Sequence, residues 1–160
     1  MKKLLFLITF SLFTLLSYSQ LPNINLKDLN GNTKNLSKFS NSGNPIIISF
    51  WATWCKPCKA ELNTIAEEYD DWVDETGVKL VAISIDDARS STRVEPYINA
   101  QGWEYMVLLD PNGDYKRAMN VNNVPHTFLI NGSGKIVWDH NNYSPGDEEE
   151  LYEELLKISK

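Results

Sequence analysis

Two cysteines, Cys55 and Cys58, are the residues in this sequence whose type and spacing predict chemistry, and they are its only cysteines. They follow an apolar run at 46–50 and precede a helical pattern. A strand that delivers such a pair to the first turn of a helix places it beside unpaired N–H groups and partial positive charge. Cysteines so placed have pKa values of roughly 3.5 to 7.5, against about 8.5 for a free thiol. The pattern therefore predicts a redox centre in which Cys55 is the exposed attacking thiolate and Cys58 the buried resolving thiol.

Three other uses of the cysteine pair fit the sequence less well. A structural zinc site takes four Cys or His ligands, and beyond the pair the chain has only His126 and His140. Attachment of a c-type haem requires a His directly after the second Cys, where this chain has Lys59. An inert structural disulfide would close a very short loop and so remove little chain entropy. We therefore predict neither a metal nor a cofactor.

The alternation of apolar and polar residues around the pair indicates which elements must position it. Ile46 opens a short, β-branched run bounded by breakers, which is typical of a buried central strand. Strands alternate with helices and close on a hairpin, so we expect an α/β sandwich with a mixed central sheet. Strands are predicted at 24–28, 33–36, 46–50, 79–85, 106–109, 127–130 and 135–139, and helices at 56–75, 92–100, 115–120 and from about 145 onward.

Two separated motifs carry a family resemblance. Residues 49–61, Ser-Phe-Trp-Ala-Thr-Trp-Cys-Lys-Pro-Cys-Lys-Ala-Glu, and residues 123–128, Asn-Val-Pro-His-Thr-Phe, resemble the thioredoxin superfamily. Within it, the chain is most similar to the exported thiol–disulfide oxidoreductases of the TlpA and ResA type. The resemblance runs from about residue 21 to the C-terminus. It implies a thioredoxin fold over residues 20–160, a mixed central β-sheet flanked by helices, with an N-terminal β-hairpin extension.

The resemblance also implies a partner-binding surface around the cysteines. In the family the proline at Pro125 is cis and lies against the disulfide, and the backbone before it, at Val124, pairs with the substrate chain. Trp54 would cover one side of the nucleophile and contact partner proteins. Lys56 would place a cation beside the thiolate, and Pro57 suits the first helical turn.

A carboxylate at Glu61 is a third candidate for the chemistry. Cytoplasmic thioredoxins carry a buried Asp in the strand before the motif, and this chain has Ser49 there. The ResA-like proteins have a Glu three residues after the second Cys, which matches Glu61. A carboxylate one helical turn from Cys58 could shuttle its proton. The alternative is a first-turn Glu favoured only by the helix dipole.

His126, next to Pro125, also has two interpretations. It could be a titrating group of the site or a plain strand residue.

The N-terminus is predicted to direct export. Lys2 and Lys3 precede an apolar run at 4–16, and small residues at 17 and 19 fit a signal peptidase site. We expect residues 1–19 to be a signal peptide cut before Gln20. The apolar run is shorter than the roughly 20 residues needed to span a bilayer. A retained N-terminal membrane anchor is the alternative.

Net charge and the predicted export limit which partners the protein can have. Without residues 1–19 the chain has 13 Lys and Arg against 21 Asp and Glu, a net charge of −8, which argues against nucleic acid as a partner. Outside the cytosol a cysteine pair oxidises unless something keeps it reduced. We therefore expect a monomer in the periplasm or cell envelope, supplied by an upstream dithiol electron donor that is membrane-bound.

The predicted function is reduction of disulfides in exported proteins, with apocytochromes c as candidate clients. One alternative is a thiol peroxidase, whose nucleophile follows Thr-x-x-Cys. Here Ala52 stands three residues before Cys55, and Thr53 is one residue out of register. A general disulfide oxidant or isomerase and a binding module without turnover are further alternatives, and an insulin-reduction assay would separate the binding module from an enzyme.

Overall fold

The computed structural model describes residues 21–39 and 41–159. The predicted signal peptide, 1–19, lies outside the described residues. Within the described part of the chain, no helix is both long enough and apolar enough to cross a membrane.

All of the predicted strands and helices are present, with ends that differ from the prediction by at most two residues. The strands are β1 (Asn25–Asp28), β2 (Thr33–Asn35), β3 (Ile46–Trp51), β4 (Lys79–Ser84), β5 (Met106–Leu109), β6 (His126–Ile130) and β7 (Ile136–Asn141). The helices are α1 (Lys56–Thr76), α2 (Val94–Gln101), α3 (Asp114–Ala118) and α4 (Asp147–Ile158). The chain before α2 is a 3-10 turn at Ser91–Arg93, so this helix begins later than predicted.

The seven strands form one mixed sheet in the order β2-β1-β5-β4-β3-β6-β7. The three central strands β3, β4 and β5 are parallel. Strand β6 pairs antiparallel with β3, and β1 pairs antiparallel with β5. The predicted N-terminal hairpin is confirmed as β1 and β2, which extend the sheet beyond β5.

Strand β3 separates two hydrophobic clusters. Every residue of β3 is buried, and successive side chains point to opposite faces. Ile47 and Trp51 pack in the cluster that contains the inner residues of α1, α2 and α4, whereas Ile48 and Phe50 pack in the cluster on the other face. The same alternation puts Ser49 on the α1 face. A polar side chain therefore lies in the core directly beside the helix that carries the cysteines.

Helix α1 begins and ends where local chemistry requires. Pro57 stands in its first turn, where a missing N–H costs nothing. Gly77, at φ 67°, ends the helix in the left-handed region, and its N–H donates to the Val73 carbonyl. The helix is 21 residues long, so its N-terminus presents the full partial charge of a helix dipole to the chain before it.

Candidate active site

A disulfide joins Cys55 and Cys58 at the start of α1, with their Cα atoms 5.4 Å apart. Cys55 is the N-cap residue of the helix, and the Cys58 N–H donates to the Cys55 sulfur over 3.3 Å. After reduction the same N–H would face the Cys55 thiolate. The geometry thus supplies both a hydrogen bond and the positive end of the helix to the sulfur that the sequence predicts as nucleophile.

The prediction that Cys55 is exposed is wrong for the disulfide form. Only 5% of Cys55 is exposed, although that is still more than the 0% of Cys58. The Cys55 sulfur is bonded to the buried Cys58, and the Val124 carbonyl oxygen covers it from 3.7 Å away. The expected order of exposure holds, but only a small part of Cys55 is open to a partner.

The chain before β6 brings the second motif onto the disulfide. The Val124–Pro125 peptide bond is cis, as the resemblance implies. Pro125 is buried, and its carbonyl accepts a hydrogen bond of 2.8 Å from the Asn142 N–H. This tie fixes the segment that carries the Val124 carbonyl, so the two motifs meet although about seventy residues separate them.

Three of the predicted partner-binding residues, Trp54, Lys56 and Pro57, form the exposed rim of the site. Trp54 is 61% exposed, which is unusual for so large an apolar side chain. Lys56 and Pro57 are exposed beside it. Trp51, by contrast, is fully buried in the core.

Glu61 is buried, with 5% of the residue exposed, and two hydroxyls hold its carboxylate. Thr127 Oγ1 lies 2.7 Å from Glu61 Oε1, and Ser49 Oγ lies 3.2 Å from Glu61 Oε2. The hydroxyls of Ser49 and Thr127 are themselves 3.0 Å apart. The sheet accounts for this cluster, because Ser49 of β3 is directly opposite Thr127 of β6 and both point toward α1.

These three contacts have a proton requirement. The hydroxyls of Ser49 and Thr127 supply one proton each, so with an ionised Glu61 one of the three oxygen–oxygen contacts has no proton. All three are hydrogen bonds at once only when Glu61 is protonated and donates to one of the two hydroxyls. The triangle can therefore hold either form of the acid.

Burial raises the pKa of Glu61 from its ordinary 4.5 to about 7, and the hydrogen bonds from Thr127 and Ser49 offset part of the rise. The negative charges of Asp147 and Glu148, at the start of α4, raise it further. A buried group with such a pKa is unlike the solvated first-turn Glu of the alternative interpretation. It is suited to exchange a proton near neutral pH.

Asp86 is a site residue that sequence reasoning missed. It is 1% exposed and lies two residues after the end of β4. Its Oδ2 accepts hydrogen bonds from the Thr53 N–H at 2.8 Å and the Ser84 hydroxyl at 2.9 Å, and its Oδ1 accepts one from the Thr53 hydroxyl at 2.6 Å. These bonds hold the loop before Cys55. An acidic residue just beyond the carboxyl end of a predicted parallel strand was the available signal.

His126 lies in β6 and faces β7 instead of the disulfide. Its Nε2 is 3.0 Å from Asp139 Oδ2, its Nδ1 is 3.3 Å from the Asn141 amide, and its ring stacks on Phe128. These contacts support the plain strand interpretation. Among residues 21–39 and 41–159, no group of three or more His, Cys, Asp or Glu side chains could hold a metal ion.

Comparison with known proteins shows the family of the chain. The AhpC/TSA family model matches residues 18–139. The chain belongs to the AhpC/TSA family. Over 119 residues it is 35% identical to the thiol-disulfide oxidoreductase ResA of Bacillus subtilis, a match that covers 74% of this chain and 64% of that protein. The chain thus spans less than two thirds of that relative.

Two further similarities extend the comparison. The ResA protein of Bacillus thuringiensis subsp. konkukian is 30% identical over 138 residues, which cover 86% of this chain and 76% of that one. A thioredoxin-like protein from Porphyromonas gingivalis has a solution structure that superposes with a TM-score of 0.79 at 50% identity, covering 89% of this chain and 93% of that one. The predicted thioredoxin fold and the resemblance to ResA are confirmed for this AhpC/TSA family member.

Proposed function

We propose that this protein is a thiol–disulfide oxidoreductase that reduces disulfides in other exported proteins. The observation that carries the proposal is the Cys55–Cys58 disulfide at the N-terminus of α1, with the Cys55 sulfur beside the Val124 carbonyl. The names of the ResA relatives support the same reaction class.

The reaction begins with the reduced pair. The Cys55 thiolate attacks one sulfur of a client disulfide, forms a mixed disulfide and releases the other client sulfur as a thiolate. The Cys58 thiolate then attacks the Cys55 sulfur, which releases the second client thiolate and leaves the Cys55–Cys58 disulfide. The client gains two electrons and the protein loses two. An upstream dithiol donor must return them, and we propose that this donor is membrane-bound.

Glu61 is proposed to take the proton of Cys58 in the second step. It follows Cys58 by one turn of α1, it is buried, and its pKa of about 7 lets it accept and return a proton near neutral pH. Ser49 and Thr127 would orient the carboxylate in both protonation states.

Client binding is proposed to use the rim of the site. The Val124 carbonyl and Pro125 would receive the client backbone, and Trp54, Lys56 and Pro57 would contact its side chains. Exported proteins with disulfides are the proposed clients, apocytochromes c among them. We place the reaction in the periplasm or cell envelope, carried out by a monomer after removal of residues 1–19.

The contacts of Thr53 disfavour the thiol peroxidase alternative. In that class a threonine hydroxyl serves the cysteine three residues later, whereas here Ala52 has that position. The nearby Thr53 hydroxyl donates to Asp86 over 2.6 Å.

Trapping of clients tests the proposed function. Cys58→Ser should accumulate mixed disulfides on Cys55 in cells, because resolution is blocked after the first attack. Cys55→Ser is the matched control and should accumulate none. Mass spectrometry of the trapped species would identify the clients. Trapping by Cys55→Ser but not by Cys58→Ser would reverse the assignment, and no trapping by either variant would contradict the proposed reaction.

A further inference from the structure

A groove of about 340 Å³ lies beside the loop that carries the disulfide. Its lining residues come from that loop, from the chain after β4 and from the turn before α2: Trp54, Ile85, Asp87, Arg89, Ser90 and Arg93. The exposed indole of Trp54 and the partly buried Ile85 give it an apolar wall. Because Trp54 directly precedes Cys55, a chain bound to the nucleophile has this groove next to it.

Arg93 is the uncompensated charge of the groove. Arg89 and Asp87 form an ion pair of 2.7 Å, so their charges offset each other. Arg93 is exposed and makes no ion pair or side-chain hydrogen bond with the other residues that the structure describes. Glu95, two residues further on, is an exposed acid in the first turn of α2, but it forms no ion pair with Arg93. The guanidinium of Arg93 at the rim of the groove is therefore free to bind a partner.

The start of α1 adds positive charge to the same side of the site. Lys56 is exposed next to Cys55, and Lys59 Nζ lies 5.3 Å from the centre of the Tyr97 ring of α2. The whole chain, however, has a formal net charge of −6. Lys56, Lys59 and Arg93 thus place positive charge beside the disulfide of a chain whose net charge is negative, which favours a partner that brings a carboxylate to this place.

We propose that the groove binds the part of a client protein next to its attacked cysteine, and that this part carries an acidic side chain. The carboxylate pairs with Arg93, whose planar guanidinium can hold it through two hydrogen bonds. The neighbouring residues of the partner pack on Trp54 and Ile85. This inference rests on the proposed function, because it names the partners of the same disulfide.

Disulfide-bonded peptides of one sequence test the proposal. Each carries a single Glu, Gln or Lys, placed in turn at the positions within three residues of the attacked cysteine. The purified, reduced protein is mixed with each peptide in a single turnover, and peptide reduction is followed by chromatography. At one position or more we expect Glu to react roughly three- to fivefold faster than Gln at low salt, as for a partly exposed ion pair, and Lys to react more slowly. About 0.5 M salt should remove most of the difference.

Three variants assign the effect to Arg93. Arg93→Gln should lose the preference for Glu, and Arg93→Lys should keep most of it. Lys79→Gln removes a positive charge at the opposite end of β4 and should keep the preference in full. Equal rates for Glu and Gln peptides in the unchanged protein, or an undiminished preference in Arg93→Gln, would overturn the groove proposal alone. Failure to reduce any of the peptides would overturn the proposed function and this proposal with it.

Discussion

At the scale of single residues, Glu61 is an acid whose burial beside the cysteines raises its pKa to about 7. An ionised Glu61 disfavours a second negative charge nearby, so it should hold the pKa values of the cysteines up. As a base it should also help Cys58 lose its proton when the mixed disulfide is resolved. The two effects oppose each other in the overall rate, but separate measurements distinguish them.

Replacement of Glu61 by Gln should make the cysteines easier to deprotonate but slow turnover. We expect Glu61→Gln to lower the apparent cysteine pKa, measured by thiol alkylation against pH, and to slow turnover of a disulfide client by about 10-fold or more. The titrations are coupled, so the shift belongs to the cluster and not to one thiol. Glu67→Gln, an exposed acid on the same helix, is the control. If Glu61→Gln behaves like Glu67→Gln in both assays, Glu61 has no part in the reaction.

The stability of the oxidised protein should depend on pH through Glu61. The pKa of Glu61 is about 7 in the folded protein against an ordinary 4.5, so between these pH values the unfolded chain has lost a proton that the folded protein keeps. The stabilisation is therefore complete below pH 4.5 and is lost as pH rises to about 7. The loss should approach about 3 kcal/mol, at roughly 1.4 kcal/mol per pKa unit.

Urea unfolding of the oxidised protein measures this loss without titration of the cysteines. The free energy of unfolding of the unchanged protein, minus that of Glu61→Gln, should fall between pH 4.5 and 7.5 by the amount given by the pKa difference. Differences that stay constant with pH would show that the folded protein does not raise the pKa of Glu61.

Residue spacing pointed to Cys55, Cys58 and Glu61 as candidates, but it predicted neither their surroundings nor the place of Asp86. The Cys55-x-x-Cys58 pair and Glu61 share one helical face, which the sequence shows directly. The contacts of Glu61 with Ser49 and Thr127 depend on the register between β3 and β6, and Thr127 is 66 residues from Glu61. The burial of Cys55 likewise depends on where the Val124 carbonyl lies. Such long-range placement has no signal in local spacing.

At the scale of elements, strands bounded by breakers were predicted best. β5, Met106–Leu109, is followed by the turn at 110–113 and has the predicted bounds. β7 begins and ends later than predicted, because its pairing with β6 includes an irregularity between Leu129 and Ile130 that shifts the register. The residue pattern predicts that a strand exists, whereas pairing with the neighbouring strand determines where it begins and ends.

The tip of the β6–β7 hairpin makes a contact that tolerates no side chain. A Cβ atom built on Gly132 would lie 1.7 Å from the Gly43 carbonyl oxygen, which is backbone and cannot turn aside. Gly132→Ala should therefore lower the free energy of unfolding by about 2 kcal/mol or more, as for an overpacked core. Gly134→Ala is the comparison. Gly134 has a φ of 80°, but a Cβ atom built there would lie within 4 Å of no atom beyond its chain neighbours. Chemical denaturation should show the larger loss for Gly132→Ala, and equal losses would contradict the close approach.

At the scale of the whole molecule, the proposed site of action depends on the N-terminal segment. Lys2, Lys3 and the apolar run after them predict export with removal of residues 1–19. The N-terminal sequence of the protein purified from the cell envelope should therefore begin at or near Gln20. An intact N-terminus recovered from the membrane fraction would favour the retained anchor instead.

The register that places Ser49 opposite Thr127 also bears on the order of folding, since these residues are 78 positions apart. Closing so long a loop is slow compared with forming α1 or the parallel pair β3 and β4. Until β6 docks, the chain lacks both the carbonyl that covers Cys55 and one of the two hydroxyls that bind Glu61. We expect a newly exported, still unfolded chain to present two ordinary thiols. Redox specificity should arise only after β6 has docked.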